Sequence, residues 1–157
     1  MIALIFPRND IEASDIALKV GLDSEDIYVV PKYSFREEEV VFSRLNKSKA
    51  AILLITDPFA AIDDDTRREI TYLLNNGKPV YAIFPKNSSA GTELEIFKRN
   101  FQDLLHLIPY DVENPQSILE RVKGELENGR AKKEIDLTPL FLIIAGLLLL
   151  YLLSDSK

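Results

Sequence analysis

The sequence predicts an α/β protein: a five-stranded parallel sheet, doubly wound, in the strand order 2-1-3-4-5, followed by one C-terminal transmembrane helix. Three observations carry this. Five short runs rich in Ile, Val, Leu, Tyr and Phe alternate with helical patterns along residues 1–128. The runs are apolar throughout rather than apolar at every second position, as strands buried on both faces are. Six of the eight prolines fall at the ends of these runs, where a residue without an N–H does no harm to a ladder.

The runs are Ile2–Phe6, Ile27–Val30, Ala51–Thr56, Val80–Phe84 and Leu104–Ile108. Pro7, Pro31, Pro58, Pro85 and Pro109 each lie within two residues of a run's end, and Pro79 opens the fourth run after the helix stop Gly77-Lys78. Helical patterns occupy residues near 10–20, 36–47, 64–76, 92–102 and 115–128, the last opened by Asn114-Pro115. Strand alternating with helix means buried parallel strands joined by crossover helices. Ligands of such sheets bind beyond the carboxyl ends of the strands, at the switch point between strands one and three. Those ends carry Arg8, Asn9 and Asp10, then Lys32, Tyr33 and Ser34, then Asp57 and Phe59, then Lys86, Asn87 and Ser88.

Residues 129–136 form a polar linker, and residues 137–153 an apolar segment. From Leu140 to Leu153 only Tyr151 carries a polar atom, and Thr138-Pro139 reads as a cap followed by proline at the first helical position. As a helix the segment would reach about 25 Å at ~1.5 Å per residue, the short end of what a bilayer core of ~30 Å requires. No polar stripe interrupts it, whereas a helix lying on a soluble core keeps one wet face. Arg130, Lys132 and Lys133 precede it and only Ser154-Asp155-Ser156-Lys157 follows. Flanking charge therefore predicts a tail-anchored, single-pass membrane protein with a cytoplasmic N-terminal domain. The lipid bilayer is the partner expected of 137–153. A buried C-terminal helix or an oligomer core is the other reading, and the small residues Ala145 and Gly146 leave a homo-oligomer open.

Composition excludes several functions. With 19 basic against 25 acidic residues the net charge is −6, which argues against duplex nucleic acid as a partner. The absence of cysteine removes disulfides, thiolate metal sites and a Cys nucleophile. The single histidine, His106, sits inside the fifth run and reads as a packed residue. No metal or other cofactor is expected.

The chemistry-bearing stretch runs from Ala51-Ile-Leu-Leu-Ile-Thr-Asp57, through Asp63-Asp-Asp-Thr66-Arg-Arg-Glu69-Ile-Thr-Tyr72, to Gly77-Lys-Pro-Val80. It resembles the nucleoside 2-deoxyribosyltransferase family, where a strand ends in Asp, a loop with Asp-x-Gly-Thr opens a helix, and a Glu follows the Thr by three residues. The TIR domain, another flavodoxin-like fold, also places a catalytic Glu in this region. The resemblance covers about thirty residues. It implies Glu69 as the catalytic nucleophile, Asp57 as its support, and Asp63, Thr66 and Tyr72 as ligand contacts, acting on a nucleoside, nucleotide or NAD-like substrate. A carboxylate beside the anomeric carbon would attack or stabilise the oxocarbenium-like state of N-glycosidic cleavage. Asp65 stands where the family has Gly, Thr71 where a Gly follows Glu-Ile, and Phe6-Pro7-Arg8 where the family has a small turn.

The loop Asn87-Ser88-Ser89-Ala90-Gly91-Thr92 resembles the Gly-Thr loop of CRISPR-associated Rossmann-fold sensors of cyclic oligonucleotides. This adds Asn87 and Ser88 as ligand-binding candidates, with Arg8 and Lys32 at neighbouring strand ends as phosphate contacts and Asn9 beside them as a further ligand-binding candidate. Each candidate has a structural alternative. Asp63-Asp64-Asp65 is well placed to cap a helix, Thr92 with Glu95 and Asn9 with Glu12 are capping boxes, and Arg67, Arg68 and Glu69 could all face water. Two functions stand open: an N-glycosidic-bond enzyme, or a non-catalytic nucleotide-sensing or scaffold domain acting through the membrane.

Overall fold

A computed structural model describes residues 1–22, 25–114 and 138–155, together with 117, 118, 120, 121 and 124. Five strands form one parallel sheet: β1 Ile2–Ile5, β2 Ile27–Val29, β3 Ala50–Leu54, β4 Val80–Pro85 and β5 Leu105–Tyr110. The order is β2-β1-β3-β4-β5, as the sequence predicts. Ile2 stands between Ile27 on one side and Ala50 on the other, and Val80 between Ala51 and Leu105. The helices are α1 Ile11–Leu22, α2 Glu38–Lys47, α3 Asp64–Asn75, α4 Ser89–Asn100 and α5 Thr138–Asp155. Of the helix expected over 115–128, only residues 117, 118, 120, 121 and 124 are described, and these are helical. The linker expected over 129–136 lies outside the described residues.

The unbroken apolarity of the strands is explained by two cores. Ala3, Ile5, Ala51, Leu53, Ile55, Val80 and Ala82 point to one side, where Val41, Leu45, Ile70, Leu73 and Leu94 of α2, α3 and α4 cover them. Leu4, Ile52, Leu54, Ile83 and Ile108 point to the other, under Ala13, Ile16, Ala17 and Val20 of α1. Every residue of β3 is buried, as the middle strand of a doubly covered sheet must be.

Strands β4 and β5 run further than expected, taking in Pro85 and Pro109. Pro109 is tolerated because β5 is an edge strand with one side free of ladder bonds. His106 stacks on Tyr81 of the neighbouring strand, with ring centroids 4.6 Å apart. Helix α3 ends in a Schellman motif: Lys78 N–H donates to the Leu73 carbonyl and Gly77 N–H to that of Leu74, with Gly77 at φ +72. Only glycine takes that left-handed position without strain.

Helix α5 lies against α1. Ile144, Ala145 and Leu148 are buried in the same core as Leu4, Ile16 and Ile52, while Leu142, Ile143, Leu150 and Leu153 are exposed. Among the described residues, no helix is long and apolar enough to cross a membrane. Docking of the apolar segment on α1 is not foreseeable from hydropathy. The segment has no polar stripe to mark one face as inward.

Candidate functional site at the carboxyl edge of the sheet

Loops after β1, β2 and β3 converge with the first turns of α1, α3 and α4 at the edge where ligands of such sheets bind. Two carboxylates organise that edge. They are Asp10, which sequence reasoning passed over as a site residue, and Glu69.

Asp10 is buried and takes four donors. Its Oδ1 accepts from the N–H of Ala13 at 3.1 Å and from the Thr56 hydroxyl. Its Oδ2 accepts from the N–H groups of Thr56 at 2.6 Å and Asp57 at 3.2 Å. The carboxylate thus caps α1 and closes the β1–β3 switch point with its own hydrogen bonds. Asn9, the expected cap, is exposed one residue earlier. Both residue types cap helices well, and Glu12 three residues beyond Asn9 completes a pattern the chain does not use.

Glu69 lies on the inner face of α3 and is 0% exposed. Its Oε1 accepts from Lys32 Nζ at 2.6 Å and its Oε2 from Arg36 Nη1, also at 2.6 Å. Arg36 also binds the Pro31 carbonyl at 2.8 Å and Glu38 at 3.0 Å, and approaches Asp65 at 3.6 Å. Lys32 donates as well to Thr66 Oγ1 at 2.7 Å. Burial raises the Glu69 carboxyl above its ordinary value, with Lys32 and Arg36 pulling it back. Burial likewise lowers the Lys32 amine, with Glu69 opposing. At both ends burial is the largest cause and the pair's own attraction opposes it, as for any salt bridge taken out of water. The expectation that Glu69 faces water does not describe this chain; Arg67 and Arg68 are outward and Glu69 is not.

Asp63 is the N-cap of α3, accepting from the N–H of Thr66 at 3.1 Å and its hydroxyl at 2.7 Å. It also accepts the Arg8 N–H at 2.9 Å. Burial works to raise this carboxyl, but the hydrogen bonds from Arg8 and Thr66 and the nearby Lys32 hold it below the usual range. Arg8 reaches Asp65 at 2.7 Å, and Arg68 pairs with Asp65 and Glu38. Around α3's first turn, Arg8, Lys32, Arg36 and Arg68 are therefore matched by Glu38, Asp63, Asp65 and Glu69.

The remaining candidates lie apart. Asp57 is exposed, and its Oδ1 accepts the N–H of Phe59 at 2.9 Å; among the described residues no hydrogen bond or ion pair joins it to Glu69. Tyr72 turns toward α2 and meets Phe42 edge-on at 5.1 Å. Ser88 caps α4 by accepting Gly91 N–H at 3.2 Å, and Ser89 N–H donates to Pro58 at 3.1 Å. Asn87 takes a left-handed turn position at φ 63, which Asn tolerates better than most residues. Helix α4 thus starts at Ser89, three residues ahead of the Thr92–Glu95 capping box. Among the described residues no three His, Asp or Glu side chains group as a metal site requires.

The structure therefore brings together Arg8, Lys32, Asp63, Thr66 and Glu69. It adds Arg36 to that network and leaves Asn9, Tyr72, Asn87 and Ser88 outside it, while Asp57 joins only the separate cluster around Asp10, through its N–H. Arg36 had one sequence signal: a cation directly ahead of Glu37, Glu38 and Glu39 in a loop that must cross the edge. Comparison with family models, curated proteins and solved structures returns no match.

Proposed function

We propose that this chain is a non-catalytic α/β scaffold domain held at the cytoplasmic face of a membrane by its apolar segment 137–153. The observation that carries the first half is the state of Glu69. A nucleophile must present an oxygen to an anomeric carbon. Here both oxygens are engaged by buried cations and the residue has no exposure. Releasing it would take from Lys32 and Arg36 the one carboxylate that both share, leaving Arg36 to Glu38 and Asp65 and Lys32 near Asp63. The switch point is likewise occupied by Asp10 and its four donors, where a nucleotide phosphate would need free N–H groups.

The second half rests on residues 140–150, which carry no polar side chain, and on the exposed apolar residues of α5. Water is a poor neighbour for such a helix. Arg130, Lys132 and Lys133 just before it favour the cytoplasmic side, whose anionic headgroups attract basic residues beside a membrane-bound helix.

The test uses the full chain with a panel of nucleosides, nucleotides and NAD. The scaffold reading expects no release of free base and no ligand-dependent rise in melting temperature. Base release that disappears in Glu69→Gln would replace it with the enzymatic reading suggested by the Asp57…Glu69 motif. Stabilisation by a nucleotide without turnover would replace it with the sensor. Flotation with phosphatidylcholine vesicles tests the attachment, and a chain that stays in the dense fraction sinks it.

A further inference from the structure

We propose that α1 is a second membrane-contacting element, so that the domain lies against the bilayer on a face made jointly by α1 and α5. The proposal rests on membrane attachment through α5 and adds how the domain sits. Ile11, Leu18 and Leu22 are 77%, 54% and 85% exposed. Their spacing of seven and four residues puts them on one stripe of α1, opposite the buried Ala13, Ile16, Ala17 and Val20.

Helix α5 repeats the arrangement. Ile144, Ala145 and Leu148 are inward, while Leu142, Ile143, Leu150 and Leu153 are outward. The inward faces of both helices belong to one core, so their outward faces look to the same side of the molecule. Seven of the thirteen large exposed hydrophobic residues among those described lie on these two helices. Exposed apolar surface gathered on one face of a soluble domain marks a contact.

The occupant is lipid rather than a second copy of the chain. A protein partner covers one side of a helix and leaves a wet flank, yet residues 140–150 offer no polar side chain at any angle. With α5 held along α1, the pair lies in the plane of the interface, Ile11, Leu18 and Leu22 and the outward residues of α5 facing the acyl boundary and Asp15, exposed on the same stripe of α1, staying among the headgroups.

The chain has no cysteine, so single-cysteine variants of the full-length protein can be labelled cleanly with an environment-sensitive fluorophore. Leu18→Cys reports α1, Leu150→Cys reports α5, and Lys47→Cys reports the exposed end of α2 on the opposite layer. On adding phosphatidylcholine vesicles, labels at 18 and 150 are expected to shift to the blue while the label at 47 does not. The pair of changes Leu18→Ser and Leu22→Ser should weaken vesicle partitioning by about tenfold or more, since two leucines no longer leave water. A shift at 150 with none at 18 overturns the role of α1 and leaves attachment through α5 standing. No shift at either site, with no flotation, removes both. A shift at 18 that needs no vesicles and tracks a doubling of mass assigns the face to a second copy and overturns the proposal.

Discussion

Asp10 and Thr56 are joined twice, N–H to Oδ2 at 2.6 Å and hydroxyl to Oδ1, across 46 residues of chain. The bond pair fastens the start of α1 to the end of β3, at the point where the winding of the sheet reverses. A carboxylate suits this position because it only accepts, and all four of its contacts are donors. Asp10→Asn would turn an NH₂ group toward two of those donors. The expected loss is about 2–3 kcal/mol, from hydrogen bonds to a charged acceptor and donors left unsatisfied. Urea denaturation checks it, and a variant as stable as the wild type would show that the switch point is held by something else.

Glu69 and Lys32 should behave as a coupled pair. Glu69→Leu leaves two buried cations facing an apolar group, and breaking a buried pair from one end costs about 3–5 kcal/mol. Adding Lys32→Met removes one of those cations, while Arg36 keeps Glu38, Asp65 and the Pro31 carbonyl. The double variant is therefore expected to be more stable than Glu69→Leu alone. A double-mutant cycle in denaturant reads this directly, and simple additivity would show that the two side chains do not interact.

Acid stability should depend on Asp63. Its carboxyl is held below the ordinary value, so its contribution is present above the unfolded value of about 4 and is lost as pH falls through the folded one. Asp65 has the same sign: burial opposes, but Arg68, Arg36 and Arg8 lower it. Asp63→Asn keeps a helix cap and removes the titration. Between pH 5 and pH 3 the wild type should lose more stability than the variant, and parallel profiles would rule Asp63 out as the source.

The fold was legible because it is written in patterns that do not depend on partners. The apolar runs, Gly77 and the prolines each answer a local demand and mark five strands, and their alternation with helices points to the doubly wound sheet whose common order the chain adopts. The site was less legible because its meaning depends on which way single side chains turn. The sequence shows a Glu three residues after a Thr. It does not show that this Glu points between Lys32 and Arg36, which approach from a loop more than thirty residues away. Asp10 was hidden for a related reason. Asn9 and Asp10 are equal candidates for one cap, and the tie is broken by Thr56, which only the folded sheet brings near.

The place of α5 can be decided by Leu148. In the docked arrangement its side chain is fully buried beside α1 in the core that holds Leu4 and Ile52. Leu148→Ala then removes packed volume from that core, at a cost of about 2–5 kcal/mol set by how far the neighbours can close the gap. Leu150→Ala, on the outward side of the same helix, deletes the same atoms from an exposed position and should cost far less. The contrast between the two is the informative quantity, because any general effect on the helix is common to both. If α5 stands apart from the domain, neither change reaches the sheet and the urea midpoints coincide with the wild type. If it is docked, only Leu148→Ala lowers the midpoint, and amide exchange in α1 speeds up with it as the helix loses its neighbour.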